Sequence, residues 1–183
     1  IHRKHHAKVD TPEDPHSPTN VGVIGVLLAQ KNEYCKATWG LIRNEEKYTS
    51  VVTDLEFPVN WMSRTETWWL PYVLHGLIAV AVGFFFNAWI LAACYFVGMM
   101  SHPIQGWMVN SFGHRFGYRN FALADDSKNN TFVSMFVMGE GYQNNHHESP
   151  LSANFAVKWH EVDFGYTLCR VARFFRLLEI VKT

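Results

Sequence analysis

The sequence predicts an all-α integral membrane protein that carries a dinuclear metal site in a helical cap on the cytosolic side. Two observations lead to this prediction. The stretch 67–113 contains no Lys, Arg, Asp or Glu, and it is long enough for two membrane-spanning helices. Histidines are concentrated in three short clusters, at 2–6, 110–114 and 143–147, on both sides of that stretch. Clustered imidazoles that flank a membrane-length apolar segment indicate a metal site close to a membrane.

The composition indicates one domain and argues against a nucleic-acid-binding protein. The chain has 183 residues, a size typical of one domain, and its 16 basic residues balance 16 acidic ones. Since no run of Lys or Arg provides the electrostatic footprint that nucleic acid requires, we expect no nucleic-acid partner. The three cysteines are isolated and show neither metal-binding nor redox spacing. Residues 1–183 are therefore interpreted as a single domain.

The first predicted element is the end of a helix at residues 1–8, which carries the first histidine cluster. His2, His5 and His6 occupy positions i, i+3 and i+4, so their rings would leave one face of a helix. Three prolines between residues 12 and 18 end this helix, because proline lacks the backbone N–H that a helix needs. Arg3 and Lys4 lie between the histidines and either belong to a solvated face or contact an anionic substrate.

The uncharged stretch is the second predicted element. A helix crosses about 30 Å of hydrocarbon with about 20 residues, so this stretch is too long for one span and suffices for two. The break is predicted at 83–87, and the transmembrane helices are predicted at 68–86 and 88–112. A hairpin returns both ends to one side, and the basic residues that flank it place that side in the cytoplasm. All three histidine clusters would then face the cytoplasm.

The second histidine cluster lies at the end of that hairpin, and the third lies about 30 residues after it. Asn110 and His114 stand at i and i+4, on one helix face, where polar groups near a membrane are costly unless they bind something. His146 and His147 are adjacent and point in different directions, so each can serve a different metal ion. The isolated histidines are interpreted as structural or solvent-exposed residues: His16, His75, His102 and His160.

The number of clustered histidines indicates two metal ions rather than one. A tetrahedral site takes four ligands, whereas the clusters offer six imidazoles: His2, His5, His6, His114, His146 and His147. Iron, zinc and copper all remain open, because imidazole suits each of them. Two ions next to a membrane-embedded acyl region favour redox chemistry on a lipid.

These motifs resemble those of the integral-membrane fatty acid desaturases, and most of all the bacterial Δ9 acyl desaturases related to stearoyl-CoA desaturase. The resemblance lies in HRKHH at 2–6, VNSFGH at 109–114 and GEGYQNNHH at 139–147, and it runs to about residue 166. It implies four transmembrane helices in the full protein and a cytosolic cap with a non-haem di-iron centre. It also implies O2 as co-substrate and a cytochrome b5, ferredoxin or rubredoxin as electron donor.

The resemblance implies roles for individual residues. Asn110 would reach a metal through water, and Gln143 stands where Δ9 enzymes commonly have histidine, although an amide is a weaker iron ligand. Trp107 would lie near the acyl tunnel, and Arg3 and Lys4 are compatible with a phosphate of CoA. Four carboxylates are candidates to orient the imidazole rings: Asp10, Asp14, Glu140 and Asp163. The implied metal-site residues are His2, His5, His6, Asn110, His114, Gln143, His146 and His147.

The implied reaction is an oxygen-dependent desaturation that introduces a cis double bond, at Δ9 by resemblance, into a saturated acyl chain. The acyl carrier, CoA or a lipid, stays open. The first histidine box of the family, His-x4-His, does not occur in the sequence, so we expect it upstream of Ile1 together with two further spans. The alternatives are a histidine-box hydroxylase or ketolase that acts on a lipid, and a catalytically inactive metal- or lipid-binding membrane protein.

Overall fold

A computed structural model describes residues 1–14, 16–55 and 61–182. These residues are mostly helical, and within those ranges the only β-structure consists of isolated bridges. A single 3-10 turn, Ser50–Val52, follows the fourth helix among the described residues. The helices are α1 (His2–Ala7), α2 (Pro18–Val21), α3 (Gly25–Ile42), α4 (Glu46–Thr49), α5 (Trp61–Arg64), α6 (Leu70–Phe86), α7 (Trp89–Met100), α8 (His102–Arg115), α9 (Thr131–Phe136), α10 (Gln143–Glu148) and α11 (Phe164–Phe174).

The predicted transmembrane hairpin is wrong. Among the described residues, every helix is too short or too polar to cross a membrane. The first predicted span, 68–86, corresponds to α6, whereas the second, 88–112, is divided at Ser101 into α7 and most of α8. Pro103 lies just after this division, and its missing N–H and its ring prevent α7 from continuing. The cytoplasmic placement of both helix ends rested on the hairpin and loses that support.

The N-terminal helix is confirmed, as is its end before the proline-rich segment. Helix α1 stops at Ala7, and Lys8 follows it with a non-helical backbone. Asp10 then adopts a left-handed conformation, with φ of 55°, which turns the chain. Pro15, the middle proline of the segment, lies outside the described residues.

The chain divides into two compact units, Asn32–Ile104 and a second one that combines Ile1–Lys31 with Gln105–Thr183. Within Asn32–Ile104, α6 and α7 pack against each other and are joined by Asn87, whose left-handed backbone ends α6. A hydrogen bond of 2.5 Å between Nδ1 of His75 and the Tyr95 hydroxyl links the two helices. The observed turn at Asn87 thus lies at the last residue of the predicted break, 83–87.

The other unit has a largely polar interior. A small hydrophobic cluster of Val109, Val133 and Val137 joins α8 to α9. Most of the remaining buried side chains in this unit are histidines, asparagines, aspartates and serines. Burying such groups is costly unless they have partners. This unit therefore depends on the hydrogen bonds of its buried polar groups.

Candidate metal centre

Six histidines from α1, α8 and α10 form two groups of three in this unit. The outer group consists of His2, His6 and His146, and the inner group of His5, His114 and His147. In each group the candidate ligand atoms all lie within 4.8 Å of one another. The names describe exposure, because the outer group includes the exposed His2, whereas the inner group is buried or half-buried.

Two short helices distribute their histidines between both groups. Helix α1 places His2 and His6, one turn apart, in the outer group and turns His5 towards the inner group. Helix α10 contributes His146 to the outer group and the adjacent His147 to the inner group. The two groups are therefore neighbours, and the ring centres of His5 and His6 are 5.6 Å apart.

The spacing of the outer group fits a shared metal ion. Nε2 of His6 lies 3.0 Å from Nε2 of His2 and 3.0 Å from Nε2 of His146. Two nitrogens that bind one ion at about 2.1 Å and at a right angle are themselves about 3 Å apart. A proton on Nε2 of His6 could satisfy only one of these neighbours, whereas a metal ion would satisfy all three nitrogens.

Carboxylates hold the rings of the inner group. Each ring binds a carboxylate at Nδ1, so that its other nitrogen, Nε2, is free to bind a metal. Among the described residues, these three Nε2 atoms are buried and lack a hydrogen-bond partner. The pairs are His5 with Asp14 (2.8 Å), His114 with Asp10 (3.0 Å) and His147 with Asp125 (3.1 Å).

Burial and mutual repulsion keep the histidines of the outer group neutral, and hydrogen bonds keep the carboxylates beside the inner group charged. Burial, together with the charges of neighbouring imidazoles, lowers the pKa of His6 and of His146 to about 3. Burial opposes ionisation of Asp10, but hydrogen bonds from His114, the Asp126 backbone and Ser17 outweigh it and lower its pKa to about 2. At neutral pH the imidazoles of the outer group therefore offer lone pairs, which is the form that binds metal.

Two of the four carboxylates that the sequence predicts to orient the rings do so. A further carboxylate, which the sequence analysis does not include, orients a third ring. Asp10 and Asp14 hold His114 and His5, whereas Asp163 caps α11 by accepting a hydrogen bond from the Tyr166 backbone (2.7 Å). Glu140 is exposed. The missed carboxylate, Asp125, accepts hydrogen bonds from the backbone and hydroxyl of Ser127. Its signal in the sequence is the Asp-Asp-Ser triplet shortly before the third cluster.

Asn110 and Gln143 are buried close to His114, a member of the inner group. Asn110 is buried one turn before His114, and its amide nitrogen donates to the Gly106 carbonyl (2.8 Å). Gln143 is buried against Gly113, where a Cβ would approach Cγ of Gln143 to 2.6 Å. Neither amide oxygen has a hydrogen-bond partner among the residues that the structure describes. Their ligand roles remain predictions.

The three residues predicted to bind substrate have different surroundings. The indole nitrogen of Trp107 donates to the Val23 carbonyl (2.6 Å), and its ring packs on Phe112 with 5.0 Å between the centres. Arg3 is exposed and Lys4 half-buried, both within α1. Contact with an acyl chain or an anionic group stays a prediction for all three.

The sequence predicts that His16 is a structural or solvent-exposed histidine, whereas the structure places its ring beside the metal centre. It is buried, and its ring centre lies 5.9 Å from that of His5. Both of its ring nitrogens lack a hydrogen-bond partner within the described ranges. A signal was available in the Asp-Pro-His sequence that follows the first cluster, since Asp14 binds His5 and also accepts from the His16 backbone (2.9 Å).

Comparison with known proteins gives an independent result. The family model for fatty acid desaturases matches residues 1–170. The chain is 32% identical over 180 residues to a hex-5-enoyl-(acyl-carrier protein) acetylenase from Moorena producens (strain JHB), which covers 92% of the chain and 55% of that protein.

Two further relatives match over almost the whole chain. An acyl-CoA C20 Delta5-desaturase from Anemone leveillei is 28% identical over 182 residues, covering 99% of the chain and 55% of that protein. An sn-1 stearoyl-lipid 9-desaturase from Anabaena variabilis is 29% identical over 185 residues, covering 99% and 62%. The chain thus spans about half the length of the curated relatives it matches. No solved structure matches it significantly.

Proposed function

The chain belongs to the fatty acid desaturase family, and we propose that it contributes the metal centre of an oxygen-dependent acyl desaturase that uses two iron ions. The observation that carries this proposal is the division of six histidines into two neighbouring groups of three. One group is available for each ion, and α1 and α10 each contribute to both. A structural role alone would not need three buried, unpaired Nε2 atoms that face one another.

The donor set fits iron. Neutral imidazole is a good ligand for iron, and the carboxylates at Nδ1 fix the ring orientation and raise the basicity of Nε2. When bound, iron would supply the oxygen activation, and the two hydrogens removed from neighbouring acyl carbons, two electrons from the donor and two protons would together reduce O2 to two water molecules. The protein's own part is to hold the rings in place.

We propose further oxygen donors for the inner group. Asn110 and Gln143 are buried close to His114, and their amide oxygens are unpaired within the described structure. Asn110 would act through a water molecule, and Gln143 as a weak direct ligand. Both are neutral, so they would complete the coordination without adding charge to a buried site.

The substrate proposed is a saturated fatty acyl chain, and the product proposed is its cis-Δ9 unsaturated form. The 9-desaturase from Anabaena variabilis supports this position, while the Delta5-desaturase shows that the position differs among relatives. Trp107 is proposed to contact the acyl chain, and Arg3 and Lys4 an anionic group of CoA or of a lipid. A cytochrome b5, ferredoxin or rubredoxin is the proposed electron donor, and a lipid bilayer the proposed location of the substrate.

One relative favours a second candidate. The protein from Moorena producens is named an acetylenase, which implies removal of two hydrogens from a double bond rather than from a single bond. The same pair of metal ions would serve both reactions, because both remove two hydrogens from neighbouring carbons. The two reactions differ in the acyl chain that is bound: saturated for a desaturase and already unsaturated for an acetylenase.

Expression of the full-length protein in a host that lacks its own desaturase tests the proposal. We expect a new cis-monounsaturated fatty acid in the host lipids. We expect it to be absent with His5→Ala, which removes a ligand of the inner group, and retained with His102→Ala, which changes an exposed histidine outside both groups. Iron-loaded protein without any new unsaturated acid would refute the proposal. Hydroxy acids would indicate a hydroxylase instead, and an acetylenic acid would indicate an acetylenase.

A further inference from the structure

Helix α10 is short, although it carries histidines of both metal groups. It has six residues and carries one histidine of each metal group, His146 and His147. A helix of this length is not stable by itself, so contacts with the rest of the protein must set its direction. Its two other buried polar residues after Gln143, Asn144 and Asn145, make those contacts outside the metal centre.

Asn145 uses every hydrogen-bonding position of its side chain. Its amide nitrogen donates to the Phe155 carbonyl (2.7 Å) and to Oε2 of Glu161 (2.9 Å). Its amide oxygen accepts from the side-chain amides of Asn120 (2.8 Å) and Asn129 (2.8 Å). A buried amide with all four positions satisfied has one low-energy orientation. The residue just before His146 is thus firmly held.

Glu161 is the centre of this network. Its side chain is 6% exposed, and its two oxygens bring together the segment at 118–120, α10 and the loop at 155–158. Burial opposes its ionisation, but hydrogen bonds from Tyr118 and from the backbone outweigh this effect, and the pKa of Glu161 lies below its usual value. Five donors contact it: the Tyr118 hydroxyl (2.6 Å), the amides of Asn120 (2.8 Å) and Asn145 (2.9 Å), and the backbone N–H groups of Val157 (2.6 Å) and Lys158 (2.8 Å).

The network reaches the rings of both histidines. Phe155, whose carbonyl binds Asn145, packs its ring on His146 with 4.7 Å between the centres. Asn144 donates to the Ser127 hydroxyl (3.3 Å), and that hydroxyl binds Asp125, the carboxylate that holds His147. Displacement of α10 would therefore disturb both metal groups at once.

We propose that Glu161 is a positioning residue that sets the directions of His146 and His147 for metal binding. The inference rests on the proposed metal centre, and it adds to that centre a residue that lies outside both groups. Among the described residues, four of the five partners of Glu161 are N–H groups that cannot accept, and each carboxylate oxygen faces at least one of them, so a carboxylate suits the position and an amide does not. In Glu161→Gln, one oxygen becomes an NH2 group that must face donors, and α10 has to shift to relieve the conflict.

Cobalt binding to the purified protein tests this role, because the visible spectrum of Co2+ reports the geometry of its ligands. We expect Glu161→Gln to weaken binding at both groups, each by about 10- to 100-fold, the loss usual for residues that orient metal ligands. We also expect the spectrum of the bound ion to change. A residue that stabilised only the fold would lower the unfolding midpoint and leave the spectrum of bound cobalt unaltered.

The control is Glu148→Gln, which neutralises an exposed carboxylate at the end of the same helix and should change neither affinity nor spectrum. If Glu161→Gln fails to fold, Tyr118→Phe removes one donor and keeps the charge, and it should shift the spectrum in the same direction by less. Unchanged affinity and spectrum in the folded variant would overturn the positioning role alone. Failure of the unmodified protein to bind cobalt would overturn the metal centre and this role with it.

Discussion

The two metal groups differ in whether a carboxylate holds each imidazole ring. Each ring of the inner group has a carboxylate at Nδ1, at 2.8–3.1 Å. In the outer group, Nδ1 of His146 is buried without a hydrogen-bond partner among the described residues. A ring fixed by a carboxylate is a stronger and better oriented ligand than one that is not. We therefore expect the inner group to bind its metal ion more tightly.

Removing one of these carboxylates should weaken the inner group selectively. Asp14→Asn keeps the size of the side chain and removes the charge that fixes Nδ1 of His5. We expect the inner group to lose about 10- to 100-fold in metal affinity and the outer group to keep its own. Calorimetric titration with Co2+ measures both affinities. Glu13→Gln, at an exposed neighbouring position, is the control, and equal affinities in the two variants would contradict the prediction.

The depressed pKa values of the histidines predict a pH dependence of stability in the metal-free protein. The pKa of His6 and of His146 is about 3 in the folded protein, against 6.5 for an ordinary histidine. Between these values the unfolded chain binds more protons than the folded one, so the free energy of unfolding decreases as the pH falls below about 6.5. Asp10, whose pKa is lowered from 3.8 to about 2, adds a loss of stability of the same sign, mostly below pH 5.

Urea denaturation of the metal-free protein at pH 7.5 and pH 5 measures this effect. We expect a lower midpoint at pH 5, and a smaller difference in His146→Gln, which has no imidazole to protonate at that position. An equal or higher midpoint at pH 5 in the unmodified protein would show that these histidines are not held in the neutral form.

Among the helices, α1 shows best what the spacing of residues can and cannot predict. The pattern HRKHH correctly indicates a helix with its histidines close together, because i, i+3 and i+4 lie on one side. It does not indicate that His5 joins a different group from His2 and His6, since that depends on where α8 and α10 lie. The apolar composition of 88–112 predicts one helix, whereas Pro103 marks the division into α7 and α8 that the structure shows.

The contact between α8 and α10 depends on a glycine. Gly113→Ala would place a Cβ 2.6 Å from Cγ of Gln143, beside His114. We expect this overpacking to lower the free energy of unfolding by about 1–3 kcal/mol and to weaken metal binding at the inner group. Gly106→Ala, in the same helix, brings its Cβ only to 3.8 Å from the Gln30 side chain and should leave metal binding unchanged. Chemical denaturation and metal titration of both variants check this, and similar behaviour of the two would count against it.

For the whole molecule, the sequence indicated the family and the clustered histidines much better than it indicated the fold. The family is shown by the match over residues 1–170, and the histidines of all three clusters do come together. The membrane hairpin was wrong, because an uncharged stretch has the composition of a span whether or not its helices have the length of one. The network around Glu161 was not predicted, because its members are ordinary polar residues whose meaning depends on long-range contacts.

The number of metal ions bound per chain tests the central claim most directly. Purified protein is titrated with Fe2+ in the absence of oxygen, and bound iron is measured together with protein. We predict two ions for the unmodified chain and one each for His5→Ala, in the inner group, and His6→Ala, in the outer group. One ion or none in the unmodified chain, or two ions in both variants, would contradict the existence of two separate three-histidine sites.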